Sequence, residues 1–463
     1  MKRIAITGAG GFIGRALTAR LRAKAYACVA LSREPATLRL PEDVECRRFD
    51  ANDPDGNPTA FERIDAVIHL AGENVAGRWT ARKKHAIFAS RVDGTRAVVD
   101  SMARLATRPA VLIASSATGY YGARGDATLD ETSAPGDDFL ARTCIEWERE
   151  ARRAAELGIR SVQIRTGIVL GDGGALRKMA APFRFGAGGP FGSGRQFVPW
   201  IHLDDLVELY VFALERETLT GAVNGVTPDY ATSARFAQAL GAALHRPAII
   251  PAPAPALRLV LGEFAQTLLG STLVIPATAQ DAGFAWRHPE LEGALAAVYP
   301  SSRAWPVVRH FRAEQFLPVP LEAVYAFFSD ASNLEAVTPA SLRFAMREHP
   351  AALERGAQIA YELRVHGLPL RWRTMIARWK PPFGFDDVQL HGPYALWHHA
   401  HTFERVAGGV LVKDHVRYAL PLYPFGNLAA PLVAADVRKI FAYRRTALER
   451  WAAASGTELR AAR

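Results

Sequence analysis

The feature that most constrains the fold is a glycine-rich turn near the start of the chain, Thr7-Gly8-Ala9-Gly10-Gly11-Phe12-Ile13-Gly14. It lies between a short aliphatic run at residues 3–7 and a helical pattern at residues 13–24. In this position glycines allow a tight turn, let the backbone approach a pyrophosphate and let the helix pack closely on the strand. We therefore predict a dinucleotide-binding turn, with a purely structural turn as the alternative. The residues predicted to hold the cofactor here are Gly8, Gly11, Phe12, Ile13 and Gly14.

Alternating strand and helix patterns follow this turn. Aliphatic runs at residues 27–31, 66–70, 110–115 and 161–168 are separated by helical patterns such as residues 95–105. Strands that alternate with helices form parallel sheets, so the first part is expected to be an α/β Rossmann-type, doubly wound parallel sheet. Its predicted extent is residues 1–298, of which about 248–298 form a small helical part.

The pattern changes after a turn-rich link near residues 299–306. A strand is predicted at residues 308–316 and a helix at 321–330. Further strands are predicted at residues 358–366, 370–380, 385–391, 395–404 and 409–419, and a closing helix at 428–454. Turns rich in Gly and Pro between these strands indicate hairpins. We expect an α+β domain over residues 307–455, with an antiparallel sheet and a long C-terminal helix.

Composition excludes several classes of protein. The most apolar region, near residues 249–261, is interrupted by Pro251, Pro253, Pro255 and Arg258, so no integral membrane segment is expected. The net charge of +10 invites a nucleic-acid partner, but only eight of the 56 basic residues are Lys and no basic block occurs, so no nucleic acid is expected. Three cysteines without a CxxC pair favour a reducing cytoplasm.

The end of the second strand predicts which dinucleotide is bound. An acidic residue there would bind a free ribose hydroxyl, but the chain reads Leu31-Ser32-Arg33. A guanidinium and a neighbouring hydroxyl suit a 2′-phosphate, so Ser32 and Arg33 favour NADP over NAD. Asp50, which ends the next predicted strand, either faces the adenine or is a solvated turn residue.

Several motifs together resemble a known family. The glycine turn, Leu70-Ala71-Gly72, Ser115-Ser116-Ala117-Thr118-Gly119-Tyr120-Tyr121-Gly122 and His202-Leu203-Asp204-Asp205 resemble extended or atypical short-chain dehydrogenase/reductases, the NAD-dependent epimerase/dehydratase group. Ala71-Gly72-Glu73, Gly77-Arg78-Trp79 and Asp137-Asp138-Phe139-Leu140 resemble its epimerase-like branch that ends in a small helical domain. The resemblance covers residues 1 to about 298 and implies that Leu70, Ala71 and Gly72 also contact the cofactor.

The chain departs from that family at its catalytic positions. The family uses a Tyr and a Lys four residues later, and here the register places Phe139 and Thr143 at those positions. A phenyl ring cannot accept a proton. An Asn that is usual in the family is Arg91, whereas Ser116 remains.

Other groups near the predicted nicotinamide could replace the missing ones. Glu73 follows the fourth strand, and Arg91, Ser116 and Tyr121 should be its neighbours at the carboxyl edge of the sheet. Our hypothesis is that Glu73 acts as acid or base while Arg91 steadies a substrate oxyanion. The alternative is that Glu73 and Arg91 form a structural ion pair.

The second part resembles the helix-grip superfamily of START and polyketide-cyclase-like (SRPBCC) domains. The resembling residues include Phe316-Leu317-Pro318-Val319-Pro320, Gly392-Pro393-Tyr394 and Phe441-Ala442-Tyr443-Arg444-Arg445. The resemblance implies an apolar ligand between sheet and helix. The alternation predicts the lining Leu370, Trp372, Thr374, Ile376, Trp397, His399, His401 and Phe403. A filled core is the alternative. His399 and His401 share a face, but with no carboxylate evident at ligand spacing we expect no metal.

Two functions remain open. The first is an NADP-dependent oxidoreductase or epimerase-like enzyme with a nonstandard active site and a small-molecule substrate, fused to a domain that binds a hydrophobic or aromatic ligand. The second is a catalytically silent protein that senses NADP and binds a lipid or aromatic ligand. Hydride transfer needs only an oriented nicotinamide and substrate, so the missing Tyr does not decide between them.

Overall fold

The chain divides into two compact units. The first unit comprises residues 1–236 and 250–300, and the second unit comprises residues 237–249 and 301–463. The computed structural model describes residues 2–53, 59–300, 308–406, 408–421 and 425–461, with side chains through residue 455 in the last range. The link predicted at 299–306 falls largely on residues 301–307, outside the described residues.

The first unit is built on parallel strands. Its strands are β1 (Arg3–Thr7), β2 (Ala27–Ser32), β3 (Glu45–Arg48), β4 (Ala66–His69), β5 (Val111–Ala117), β6 (Thr128–Leu129), β7 (Arg160–Thr166), β8 (Ile168–Leu170), β9 (Phe197–Val198), β10 (Trp200–His202), β11 (Gly221–Gly225), β12 (Ala231–Thr232) and β13 (Leu273–Val274). Seven form one sheet in the order β11-β7-β5-β4-β1-β2-β3. The order reverses at β1, so a crevice opens at the carboxyl ends of β1 and β4.

Helices cover both faces of this sheet. The helices that the structure describes up to residue 300 are α1 (Phe12–Ala23), α2 (Ala81–Ala103), α3 (Phe139–Arg152), α4 (Gly174–Arg184), α5 (Leu203–Glu215), α6 (Ser233–Leu244), α7 (Ala254–Leu261), α8 (Phe264–Leu269), α9 (Ala277–Asp281) and α10 (Leu291–Val298). Ile6 packs in one apolar cluster with Leu17 of α1 and Leu209 of α5. Its neighbour Ala5 packs in the opposite cluster with Val98 of α2. Burial on both faces is typical of parallel sheets, and the predicted α/β fold class is confirmed.

Helices α2 and α3, which carry residues of the candidate site, differ from the prediction. Helix α2 begins at Ala81, where the Thr80 side chain accepts a hydrogen bond from the Lys83 amide, so residues 95–105 are only its apolar second half. Helix α3 was not predicted. Asp138 caps it by accepting from the Ala141 amide.

The second unit contains an antiparallel sheet. Its elements are β14 (Arg309–Leu317), α11 (Leu321–Ser329), β15 (Ala345–Glu348), β16 (Gln358–Val365), β17 (Leu368–Lys380), β18 (Gly384–His391), β19 (Leu396–Val406), β20 (Gly409–Ala419) and α12 (Ala430–Ala461). The strand order is β14-β20-β19-β18-β17-β16-β15. On the long helix α12, Val437 and Phe441 pack against Val416 and Tyr418 of β20. The predicted antiparallel sheet with a long C-terminal helix is confirmed.

Among the helices that the structure describes, none has both the length and the apolar character required to span a bilayer.

Candidate functional site

The glycine turn brings the ends of β1 and β4 into direct backbone contact. Gly8 has φ +71°, and a Cβ there would lie 3.1 Å from the Ala71 amide nitrogen. A Cβ on Gly14 would lie 2.2 Å from the Gly8 carbonyl oxygen, so only glycine lets α1 start this close to the turn. Gly11 is the N-cap of α1 and offers no side-chain acceptor to the first-turn amides. Those amides suit an anionic group such as a pyrophosphate.

Thr7 holds the two turns together. Its hydroxyl lies 2.7 Å from Nδ1 of His69 and accepts hydrogen bonds from the amides of Leu70 and Ala71 at 3.1 and 3.2 Å. Burial lowers the pKa of His69 to about 4, so this imidazole is neutral. The turn at Leu70, Ala71 and Gly72 therefore lies beside the glycine turn, as the resemblance implied, although neither Thr7 nor His69 was singled out from the sequence.

The outer cofactor residues lie where β2 and β3 end. Ser32 is the last residue of β2, and its hydroxyl accepts from the Glu34 amide at 3.2 Å. Arg33 follows and is exposed. The third strand ends at Arg48 rather than at Asp50. Asp50 Oδ1 accepts from the Asn52 amide at 3.0 Å, the geometry of the turn alternative.

Phe12 and Ile13 start α1 on the sheet side of the turn. Ile13 packs against the first apolar cluster. A Cβ on Gly171 or Gly173 would lie 2.7 or 2.5 Å from the Phe12 ring. The glycines after β8 therefore give this ring room beside the turn.

Glu73 and Arg91 meet, but not as an ion pair. Arg91 donates from Nη1 to the Glu73 backbone carbonyl at 2.9 Å, and its guanidinium lies 5.1 Å from the Trp147 ring centroid. The Glu73 carboxylate instead accepts from Lys83 Nζ at 2.6 Å and is 45% exposed. The alternative of a structural Glu73–Arg91 ion pair is thus not what the structure has, because Lys83 in the first turn of α2 reaches the carboxylate. Glu73 remains an accessible carboxylate, and its role as acid or base stays a prediction.

Ser116 and Tyr121 belong to a buried polar network. Ser116 donates to Glu148 Oε1 at 2.7 Å. Tyr121, fully buried, donates to Asn224 Oδ1 at 2.7 Å and accepts from Arg165 Nη1 at 2.9 Å. Burial raises the pKa of Tyr121. Its hydroxyl is engaged inside the unit and resists losing its proton, which speaks against a catalytic role, and that role stays a prediction.

A buried ion pair anchors this network. Arg165 of β7 binds Glu148 of α3 through two hydrogen bonds of 2.8 and 2.9 Å, and both side chains are almost fully buried. Sequence reasoning missed both residues. The available signal was Arg165 itself, a charged residue beside Ile164 in a strand that also contains Ser161 and Gln163.

Phe139 and Thr143, which the resemblance places at the family's Tyr and Lys positions, make only packing and backbone contacts among the described residues. The Phe139 ring lies 5.2 Å from the Trp79 ring and 5.1 Å from Lys84 Nζ. Thr143 donates its hydroxyl proton to the Phe139 carbonyl at 2.8 Å. Trp79 also contacts Phe264 of α8 at 5.5 Å, so an aromatic cluster occupies this side of the crevice.

The second unit contains a cavity of about 820 Å³. Its aromatic lining includes Phe328, Phe344, Tyr361, Trp372, Phe385, Tyr394, Trp397 and Phe441, and its polar lining includes Asp387, His399, His401 and Arg444. Of the predicted lining residues, Phe403 is the exception, because it packs in the apolar core beside Phe385.

The polar side chains cluster at one place in the cavity wall. Strands β18 and β20 flank β19, and they bring Asp387 and Asp414 to His399 and His401. Burial lowers the pKa of His399 to about 4. Burial also lowers the pKa of His401, but hydrogen bonds with the two aspartates outweigh it and raise that pKa. The expectation that no carboxylate accompanies these histidines was wrong, because neighbouring strands supply both.

Comparisons with known proteins identify the first unit. The NAD dependent epimerase/dehydratase family matches residues 4–224, and the domain of unknown function DUF1731 matches residues 252–298. The epimerase family protein SDR39U1 of Bos taurus is 38% identical over 303 residues, covering 64% of this chain and 99% of that protein. The chloroplastic SDR39U1 homologue of Arabidopsis thaliana is 39% identical over 306 residues, covering 64% of this chain and 86% of that protein.

Solved structures similar to this chain include members of the same family. The crystal structure of human epimerase family protein SDR39U1 (isoform2) with NADPH has a TM-score of 0.58 at 35% identity, covering 64% of this chain and 99% of that one. The crystal structure of a nucleoside-diphosphate sugar epimerase from Corynebacterium glutamicum has a TM-score of 0.53 at 31% identity, covering 64% of this chain and 58% of that one. The resemblance of the first part is confirmed: the chain belongs to the NAD dependent epimerase/dehydratase family and is similar to the SDR39U1 epimerase family proteins.

Proposed function

We propose that the first unit binds NADP(H) and acts on a small molecule as an oxidoreductase or epimerase-like enzyme with a nonstandard active site. The observation that carries the proposal is the glycine turn, whose backbone lies against Leu70 and Ala71 at the crevice between β1 and β4. The family is NAD-dependent by description, and the human relative is crystallised with NADPH. The NADPH-bound relative supports the prediction of NADP rather than NAD.

A catalytically silent NADP-sensing and ligand-binding protein is the second candidate. Phe139 in an aromatic cluster and Tyr121 in a buried network favour it, because neither can exchange a proton with a substrate. Glu73, exposed and held by Lys83, favours the enzyme. Oxidation of NADPH should be screened against sugar nucleotides, quinones and small carbonyls. Turnover that is lost in Glu73→Gln supports the enzyme, whereas tight cofactor binding without any turnover supports the sensor.

Arg33 is expected to select NADP. Removing it in Arg33→Ala should weaken NADP(H) binding about tenfold to hundredfold and leave NAD(H) binding nearly unchanged, because a charge-assisted hydrogen bond contributes about 1.5–3 kcal/mol. Dissociation constants for both cofactors measure this. Arg149→Ala, which removes an exposed arginine from α3, is the matched control and should change neither. Equal weakening of both cofactors by Arg33→Ala would contradict the assignment.

We propose that the second unit is a helix-grip domain that binds a hydrophobic or aromatic small molecule. Support comes from the aromatic lining of its cavity and from the resemblance of the sequence to START-like domains. A cavity of about 820 Å³ falls within the range of small-molecule sites.

Ligand binding should raise the thermal stability of the full chain. Quinones and polyketide-like aromatics at 100 times their dissociation constant should add about 2.7 kcal/mol. Trp397→Leu should reduce that shift, whereas Trp379→Leu, which removes a Trp outside the cavity lining, should retain it. Mass spectrometry of extracts from the purified chain is the independent measurement. If nothing copurifies and no compound shifts the melting temperature, the cavity is not a binding site.

Two further expectations stay predictions. A cytoplasmic location rests on cysteine usage alone, and one relative is named chloroplastic. The expectation that no nucleic acid binds rests on charge patterning.

A further inference from the structure

Two histidines and two aspartates form a closed cluster in the cavity wall. His399 Nδ1 and His401 Nε2 lie 3.6 and 3.4 Å from Asp387 Oδ2. The other ring nitrogens, His399 Nε2 and His401 Nδ1, both lie 2.9 Å from Asp414 Oδ1. Each imidazole therefore lies between the two carboxylates, with one ring nitrogen near Asp387 and the other near Asp414.

The spacing on the Asp387 side fits a metal ion. Zinc binds imidazole nitrogen and carboxylate oxygen at ~2.0–2.2 Å, and tetrahedral geometry then separates ligand atoms by ~3.3–3.6 Å. The two separations from Asp387 Oδ2 lie in that range. The three ligand atoms of Asp387, His399 and His401 all lie within 4.8 Å of one another.

The Asp414 side fits the role of an orienting carboxylate. Histidines that bind a metal usually donate the second ring N–H to a carboxylate or carbonyl, which fixes the tautomer and directs the lone pair of the other nitrogen at the metal. Asp414 Oδ1 is within hydrogen-bond distance and geometry of His399 Nε2 at 2.9 Å, and His401 Nδ1 lies 2.9 Å from the same oxygen without hydrogen-bond geometry. Thr374 similarly donates to Asp387 Oδ1 at 3.1 Å, leaving Oδ2 toward the histidines.

We propose that Asp387, His399 and His401 bind a divalent transition-metal ion such as Zn²⁺ or Fe²⁺, with Asp414 orienting His399. Two imidazoles and one carboxylate leave at least one coordination position open, as in catalytic metal sites. All three ligands line the cavity, so the open position faces it. The ion would take an oxygen donor, such as a carbonyl, hydroxyl or carboxylate, from a molecule with an apolar body.

Charge within the cluster is consistent with a cation. Asp387 and Asp414 bring two negative charges into a buried site, and Arg444 Nη2 is 4.0 Å from Asp414 Oδ1. A divalent ion with Arg444 leaves one net positive charge, which suits a bound hydroxide or an anionic ligand group. Without metal, a proton on one histidine would be the compensating charge, and the experiment below separates these two states.

Metal content of the full chain tests the proposal. The chain is stripped with a chelator and titrated with Zn²⁺ and with Co²⁺, whose visible absorption reports coordination. We expect one equivalent bound at the cluster, and a loss of at least about hundredfold in affinity in His399→Ala, His401→Ala and Asp387→Asn. Asp414→Asn should weaken binding about tenfold to hundredfold, as is usual for an orienting carboxylate.

Two controls make the result specific. His398→Ala removes the histidine that directly precedes His399 in the sequence. His398 contacts Asp386 instead, so this variant should leave metal binding unchanged. His202→Ala disrupts the other described cluster with metal-ligand spacing, His202, Asp204 and His288. Metal that is lost with His202→Ala but retained in the His399 and His401 variants overturns the proposal, as does the absence of any binding at micromolar concentrations.

Misfolding of a cavity variant would not leave the question open. The His202→Ala variant keeps the cavity cluster intact. It should still bind one equivalent of Zn²⁺ and should melt at a higher temperature with Zn²⁺ than with chelator. No shift and no bound ion would contradict the site. The site is independent of the proposed apolar ligand, because the ion can bind an otherwise empty cavity.

Discussion

Replacing Arg165 by methionine is expected to lower the free energy of unfolding of the first unit by about 3–5 kcal/mol. The substitution removes the buried partner of the Glu148 carboxylate and leaves it the Ser116 hydroxyl and the half-exposed Arg152, whose Nη1 lies 3.5 Å away. A buried charge that loses its close partner is strongly destabilising. Denaturant unfolding of the full chain measures the loss. Added NADPH identifies the transition of the first unit, because a ligand stabilises only the unit that binds it.

The double variant Arg165→Met with Glu148→Leu is the matched control. It removes both charges and should recover most of the stability, since replacing a buried ion pair by apolar side chains is often neutral. Ser116→Ala removes only one donor to Glu148 and should cost about 1 kcal/mol. A double variant as unstable as Arg165→Met alone would show that the pair is not what sets the stability here.

Gly14→Ala is expected to weaken NADP(H) binding at least about hundredfold. A Cβ at this position would lie 2.2 Å from the Gly8 carbonyl oxygen and 2.7 Å from Ala9 Cα. Both neighbours are backbone, so the turn itself must move and its amides leave the phosphate. Loss of two charge-assisted hydrogen bonds of about 1.5–3 kcal/mol each accounts for the size of the effect.

Gly293→Ala is the control for the glycine substitution. Gly293 lies in α10, and a Cβ there has no atom within 4 Å, so alanine should bind cofactor normally and stabilise the helix slightly. Cofactor dissociation constants and melting temperatures are measured for both variants. Wild-type affinity in Gly14→Ala would show that the turn does not hold the pyrophosphate.

The sequence predicted the elements whose signals are local. The glycine turn at residues 7–14 is a local requirement of the backbone, and β1 was predicted over its observed range, Arg3–Thr7. Alternating aliphatic residues likewise indicated β20 over Gly409–Ala419. Helix α3 was missed because its start depends on the cap at Asp138 and its charged residues face partners distant in the chain.

The sequence by itself determined the α/β class and the turn at Gly8 to Gly14, since each is readable from residue type and order. Through the family resemblance it also predicted that Phe139 and Thr143 stand where the family has its Tyr and Lys. Only the tertiary structure decided how the charged and polar groups pair. Glu148 meets Arg165, and Asp387 and Asp414 meet His399 and His401, across strands and helices that sequence spacing does not relate. Buried polar groups take the partners that packing brings within hydrogen-bond distance, so pairings between distant segments emerge only when the sheets are assembled.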